Sequence, residues 1–358
     1  MPLGSTPPGA PLVLDHDAVL RGRIITNGLA ARLPRDPEAL RAAAWAGLQD
    51  SMPRAALLSL HARVAGIEAD ALDDPALVQV WGPHHAAYVV AAADLAPFTL
   101  GRLPDGTAQR RRAVETAERL VDFLGVRELG YGAAGRGIGL PPNALRYAAP
   151  TGRILLRWDG ARQPTIRVGP PLATDPEAAR LELARRHLHV YGPTTADAFG
   201  RWSSVGPAAA RRTWAALGDA LVPVRTPAGA GTILAADEAA FRASPDDRVP
   251  GVRLLPSGDA LTLLHSAERE LIVPDAAARA ELWTSRVWPG ALLLDGRIVG
   301  AWRPADADLT VVPWRALSGA ERSAIEAEAA SLPLAVSGGA LRVRWAGPGD
   351  RDGGRSGA

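Results

Sequence analysis

LVQVWGPHHAAYVVA, residues Leu77 to Ala91, decides how the chain is read. Two short apolar segments, Leu77 to Trp81 and Ala87 to Ala91, stand either side of Gly82-Pro83-His84-His85, the pattern of a β-hairpin. Upstream lie three helical patterns. Leu12 to Arg32 carries Val19, Ile24, Ile25 and Leu29 behind Asp15 as N-cap. A second helix opens at Pro37 behind Asp36 and runs to Leu48, and a third starts at Met52-Pro53, where proline is tolerated in a first turn. Ala56, Leu57, Leu60 and Val64 fall on one face of the third. Three helices followed by a hairpin is the chain order of a winged helix.

The order recurs twice downstream. Gln109 to Phe123 is an amphipathic helix; Leu129 to Gly139 is a shorter one, Leu140-Pro141-Pro142 a turn, and Asn143 to Tyr147 the start of another helix. A hairpin follows, Arg153 to Asp159 and Pro164 to Val168, with Gly160-Ala161-Arg162 at its tip. In the third unit, Asp175 to Tyr191 is a helix, Thr194-Thr195 caps Ala196 to Trp202, and Gly206-Pro207 opens Ala208 to Leu217. Leu221 to Arg225 and Thr232 to Ala235 form its hairpin. Beyond Val252 short strands dominate: Arg253 to Leu255, Glu270 to Val273, Ala291 to Leu294, Ile298 to Trp302, Leu309 to Val312 and Leu341 to Trp345. Asp295-Gly296 is a tight-turn pair, and Ser318 with Glu321 forms a capping box at the head of a helix over Ser318 to Ser331. The expected fold is α+β: three tandem winged helices and a small C-terminal β-barrel with one helix. The expected boundaries are 1–11 (disordered leader), 12–104, 105–172 and 173–250 (winged helices), 251–345 (barrel) and 346–358 (disordered tail).

Composition narrows the function. The 358 residues include no cysteine, which excludes disulfides, Cys-ligated zinc and thiol catalysis. The N-terminus lacks the apolar core of a secretory signal, and no apolar run approaches a membrane span, so a cytoplasmic address is expected. All 40 basic side chains are arginine, the residue whose planar fork suits phosphate, although a GC-rich codon bias accounts for the usage as well. Net charge is only +2, yet Gly101 to Pro170 holds 12 Arg against 6 Asp or Glu, so that segment alone is net +6. It is a candidate face for a polyanion. Arg146, Arg153, Arg157, Arg162 and Arg167 lie on the helix and hairpin of the second unit, where double-stranded DNA would meet them. Arg54 stands at the head of the third helix. His84, His85, His187 and His189 lack carboxylates or cysteines at ligand spacing, so no metal site is expected. GAAGRGIG, residues 132–139, lacks the lysine and the preceding strand of a nucleotide loop.

One polar segment interrupts the first unit: Gln49-Asp50-Ser51 in GLQDSMPRAALLSLHARV, residues 47–64. An amide and a carboxylate can position a water for attack on a sugar carbon. Composition alone favours the plainer reading, in which Gln49 and Ser51 satisfy backbone groups at a helix break and Asp50 caps the next helix.

That segment, with NALRYAAPTGRILLRWDG (143–160), LELARRHLHVYGP (181–193), LLLDGRIVGAWR (292–303) and AIEAEAASL (324–332), resembles the AlkZ/YcaQ-like winged-helix DNA-binding proteins over nearly the full length. The resemblance implies a monofunctional DNA glycosylase that excises bulky or crosslinking alkylated purines with neither metal nor cofactor. It also implies a catalytic role at the family's motif, a Gln, a spacer, then Gln or Asp. Gln49 matches the first position, Asp50 occupies the spacer and Ser51 the third, where a hydroxyl lacks the reach and two-sided bonding of an amide. Three readings remain: a glycosylase with Gln49, Asp50 and Ser51 at its site; a non-catalytic DNA-binding protein, a regulator or damage binder; or winged helices used for protein contacts only. The DNA-binding protein is expected to be a cytoplasmic, nucleoid-associated monomer, since no dimerisation element is visible.

Overall fold

The computed structural model describes residues 11–52, 54–160, 162–244, 249–305, 308–334 and 341–347. Residues 1–10 of the expected leader, 348–358 of the expected tail, Pro53 and Ala161 lie outside the described residues.

β1 (Leu12–Val13) leads into α1 (His16–Thr26), whose first turn is capped by the Asp15 carboxylate on the Ala18 N–H at 2.8 Å. Asp36 caps α2 (Pro37–Ala43) in the same way. Gly47 then takes φ +73°, and β2 (Leu48–Gln49) follows. The expected helix to Leu48 therefore stops early, because Leu48 and Gln49 pair with a strand. The expected helix over Leu12 to Arg32 is likewise shorter at both ends. α3 (Ala55–Arg63) precedes the hairpin of β3 (Leu77–Trp81) and β4 (Ala87–Ala91). Next come α4 (Leu95–Phe98), α5 (Thr107–Leu124), β5 (Leu129–Gly130), α6 (Tyr131–Gly137) and a 3-10 stretch, Pro142–Thr151, where Asn143 to Tyr147 was expected to be an α-helix. Pro141, Pro142 and Pro150 leave that segment short of amide donors.

β6 (Ile154–Arg157) and β7 (Thr165–Val168) form the second hairpin. α7 (Pro176–Tyr191), α8 (Ala196–Ser203) and α9 (Pro207–Ala216) lead to the third, β8 (Leu221–Thr226) and β9 (Gly229–Leu234), followed by α10 (Glu238–Phe241). The C-terminal part holds β10 (Val252–Leu255), α11 (Ala276–Leu282), β11 (Gly290–Leu294), β12 (Arg297–Ala305), β13 (Asp308–Pro313), α12 (Gly319–Ala330) and β14 (Arg342–Trp345).

Strand pairing ties these segments together across long sequence gaps. β2-β4-β3-β6-β7-β5 form one six-stranded sheet, so the first two hairpins share a sheet through Gln79 opposite Leu156. β1 pairs in parallel with β8, and α1 packs on α7 and α10. Gly22 makes that packing possible: a Cβ there would overlap the Phe241 ring. The first helix of the chain thus sits with the third hairpin.

The C-terminal sheet is a correction. β10-β11-β12-β13-β14 lie in linear order, an open sheet with β10 and β14 at its edges, where a small barrel was expected. α12 lies across it and buries Ile325 and Ala329 in a cluster with Leu254, Leu292, Leu309 and Val311, so a helix covers the face that a barrel would enclose. Asp295 and Gly296, at φ +47° and +78°, make the expected tight turn. Glu270 to Val273, expected as a strand, is a turn in which Val273 N–H bonds Arg269 O. Leu271, Ile272 and Val273 are all buried there, and an apolar run reports burial without choosing the backbone.

Candidate active site

Gln49-Asp50-Ser51 is held at both ends by backbone that few residues tolerate. A Cβ on Gly47 would come within 2.9 Å of the Tyr88 ring and 3.0 Å of Phe98, at a φ that already favours glycine. On the far side Arg54 is left-handed at φ +62° and α3 begins immediately after it. Between them Gln49 pairs with Tyr88, and the Asp50 N–H donates to Ala87 O at 2.8 Å. Extended backbone sends neighbouring side chains to opposite sides.

Gln49 and Ser51 share one side. Gln49 Nε2 donates to Ser51 Oγ at 2.5 Å, and the Tyr88 hydroxyl lies 3.4 Å from Gln49 Oε1. Tyr88 is fully buried, and burial pushes its phenol far up, so it stays a neutral donor. The backbone of Gly258, at φ +81°, faces the Gln49 amide; a Cβ there would stand 3.7 Å from Gln49 Cδ. Ser51 is exposed, so the pair opens to solvent.

Asp50 turns the other way and is only 2% exposed. Its Oδ1 accepts the Ala56 N–H at 3.2 Å, which caps the first turn of α3 from six residues upstream. Its Oδ2 accepts from Gln79 Nε2 at 2.9 Å. Burial pushes the carboxyl up to about 6, and those two hydrogen bonds hold it from rising further.

Sequence reading passed over Gln79. Its signal was one amide in the middle of the apolar strand LVQVW. Gln79 Nε2 also donates to Trp158 O at 3.0 Å, and Gln79 Oε1 accepts the Trp158 N–H. Trp158 opens the tip of the β6–β7 hairpin; its indole N–H bonds Arg162 O at 2.8 Å, and Asp159 Oδ1 accepts the Arg162 N–H. The tip of the second hairpin therefore abuts the polar segment of the first unit.

The arginines divide. Arg153, Arg157 and Arg167 alternate onto one face of the β6–β7 hairpin, with Arg167 opposite Leu155. Arg54, Arg157, Arg162 and Arg167 are exposed; Arg157 pairs with Asp73 at 2.7 Å. An exposed pair of that kind is worth at most about 1 kcal/mol, so a phosphate can displace it. Arg146 is half-buried and engaged with Asn143, and Arg153 is half-buried. Other arginines are structural: Arg23 donates to the carbonyls of Tyr191, Gly192 and Pro193, and Arg102 to those of Trp81 and Ser203. Arginine usage alone could not separate these groups.

Behind the site Arg63 and Asp259 form a buried ion pair at 2.7 Å that joins α3 to the loop carrying Gly258. A cavity of about 380 Å³ lies elsewhere, between α1 and the β11–β12 turn. Its charged side chains are already engaged: Arg297 pairs with Asp17, Arg315 with Glu321 outside the lining, Arg21 donates to Ala243 O, and Asp295 accepts the Gly251 N–H. Among the described residues no group of three or more His, Asp or Glu is placed to hold a metal ion. His187 is buried among Tyr191, Phe199 and Trp202, which pushes its imidazole down to about 3.

The chain is mixed α+β, with helices packed over its sheets. The family model described as "DNA glycosylase AlkZ-like" matches residues 42–333, and the chain belongs to that family. A curated relative, the interstrand DNA cross-link repair glycosylase of Streptomyces sahachiroi, is 30% identical over 179 residues, 48% of this chain. The match spans 46% of that relative, about half its length. Among solved structures, the Streptomyces sahachiroi DNA glycosylase AlkZ superposes with a TM-score of 0.71 at 18% identity, covering 94% of this chain and 100% of that one. At that identity the likeness concerns the fold. No helix among the described residues is long and apolar enough to cross a membrane.

Proposed function

We propose that this chain is a cofactor-free DNA glycosylase that hydrolyses the N-glycosyl bond of alkylated purines in double-stranded DNA. The observation that carries the reading is the Gln49–Ser51 pair, open to solvent and backed by the buried Asp50. Gln49, with Tyr88 and Ser51 fixing its amide, would hold the attacking water. The water oxygen bonds to the anomeric carbon as the bond from that carbon to the base nitrogen breaks. The electron pair leaves with the base, neutralising the positive charge that alkylation placed on it, and the water's proton passes to solvent. Asp50, ionised above about pH 6, supplies a negative field as positive charge develops on the sugar.

The hairpins that follow helices, β3–β4, β6–β7 and β8–β9, support a tandem winged-helix reading, with exposed Arg54, Arg157, Arg162 and Arg167 meeting phosphates. The proposed setting is a cytoplasmic monomer on the nucleoid, acting in repair of alkylation or crosslink damage. Ser51 in place of the family's longer side chain favours the second reading, a damage binder without base release. Incubation with alkylated duplex DNA, followed by alkaline cleavage at abasic sites, tests both. Strand breaks in wild type that vanish in Gln49→Ala support the glycosylase. Tight, salt-sensitive binding with no breaks selects the damage binder.

A further inference from the structure

We infer that Gln79 is a positioning residue that ties Asp50 to the tip of the β6–β7 hairpin, so that contact of the tip with DNA is felt at the carboxylate. This rests on the glycosylase reading of the site.

The argument begins with the amide itself. Gln79 sits between Val78 and the fully buried Val80 on a strand that is otherwise apolar. A primary amide offers two N–H donors and one carbonyl oxygen. Both donors are used, one on Asp50 Oδ2 at 2.9 Å and one on Trp158 O at 3.0 Å, and the oxygen takes the Trp158 N–H. The orientation follows from the partners. A flipped amide would set its oxygen against the Asp50 carboxylate and the Trp158 carbonyl, and its N–H groups against the Trp158 N–H. One planar group thus reads the backbone of the hairpin tip and holds one oxygen of Asp50, while Ala56 N–H holds the other.

The remaining links lead outward. Trp158 is bound through its indole to Arg162 O, and Asp159 fixes the Arg162 N–H, so the tip is locally braced. Arg157 and Arg162, both exposed, flank Trp158 and would receive the phosphate load. Displacement of the tip moves both Trp158 groups on which Gln79 is seated, and Asp50 loses or gains its second donor accordingly.

Substitutions separate this from a packing role. Gln79→Met keeps the length and removes every hydrogen bond. Gln79→Asn keeps the amide but is one methylene short. Because Gln79 acts through Asp50, the test is a double-mutant cycle between Gln79→Met and Asp50→Asn. Single-turnover base release is read at saturating protein, and affinity is read separately on the same alkylated duplex. Gln79→Met is expected to slow release by about tenfold or more with affinity changed less than threefold, and Gln79→Asn to fail to rescue it, the pattern of an interaction that matters in the transition state. In the Asp50→Asn background the same substitution is expected to change release less than twofold. The four proteins are also compared by urea unfolding, where the two substitutions are expected to be non-additive even if Asp50→Asn abolishes release.

Additive effects in both release and unfolding would overturn the inference, as would a Gln79→Met protein that weakens affinity in proportion to rate. A wild-type protein that releases no base removes the glycosylase reading itself. The tie between residues 79 and 50 is then decided by the unfolding cycle, and additivity there overturns it.

Discussion

Replacing Asp259 by alanine should cost this protein a large share of its stability. Asp259 Oδ2 accepts from Arg63 Nη1 at 2.7 Å and Ser59 Oγ at 2.7 Å, and its Oδ1 accepts from Arg63 Nη2 and Leu261 N–H, each at 3.0 Å. The two side chains are 0% and 4% exposed. Without the carboxylate, Arg63 keeps only the carbonyls of Asn27 and Ser59, and a cation stays buried without a counter-charge. Breaking such a pair from one side costs about 3–5 kcal/mol, set against a total stability of about 5–15 kcal/mol. With a urea m-value near the upper end, about 3 kcal/mol/M, the midpoint falls by about 1 M or more. Arg63 holds the Asp259 carboxyl below its ordinary value, against the opposing pull of burial. Its contribution is therefore complete above the ordinary carboxylate range and is lost as acid protonates the folded state. Urea titrations followed by tryptophan fluorescence at neutral and acid pH measure both effects. Base release should fall too, since the loop that sets Gly258 against Gln49 is anchored here. A midpoint within about 0.3 M of wild type, or an Arg63→Met/Asp259→Leu double variant no more stable than either single, would refute the reasoning.

Gln49→Ala should lower single-turnover base release by about 100-fold or more while leaving duplex affinity nearly unchanged, the loss expected for a group that positions the nucleophile. Release by wild type should drop about tenfold per pH unit below about pH 6, where Asp50 takes up its proton, and hold level above it; a profile flat down to pH 5 would remove Asp50 from the reaction. Arg162→Ala should weaken binding to damaged and undamaged duplexes alike and lower the slope of log affinity against log salt by about 0.9. An unchanged slope would take the hairpin tip off the DNA.

Much of the fold was legible because its determinants are local. Asp15, Asp36 and Thr195 each cap a donor three residues on, and Ser318 with Glu321 closes a box within a single turn. The hairpins at Leu77–Ala91 and Arg153–Val168 were visible as apolar segments around turn residues, since register across a short loop needs no distant partner. The open C-terminal sheet was not legible: strand segments look alike whether a sheet closes or a helix covers it. Glu270 to Val273 misled for a related reason, because burial of an apolar run is compatible with strand or turn.

The site divides along the same line. Gln49-Asp50-Ser51 stood out in sequence as polar residues between two apolar helices, and its resemblance to a family motif could be drawn from those residues alone. That Gln49 and Ser51 bond each other while Asp50 turns inward was a matter for tertiary structure, since it depends on Tyr88, Ala56 and Gln79 arriving from other elements. Gln79 meets a tip 79 residues further along, and Arg63 meets a carboxylate 196 residues away. The amino-acid order by itself determined where helices start, where hairpins turn and which short segment is polar, because hydrogen bonds and steric limits within a few residues settle those choices. Only the folded chain decided which of those polar groups face solvent and which face each other, because burial and pairing between distant segments are properties of the packed whole.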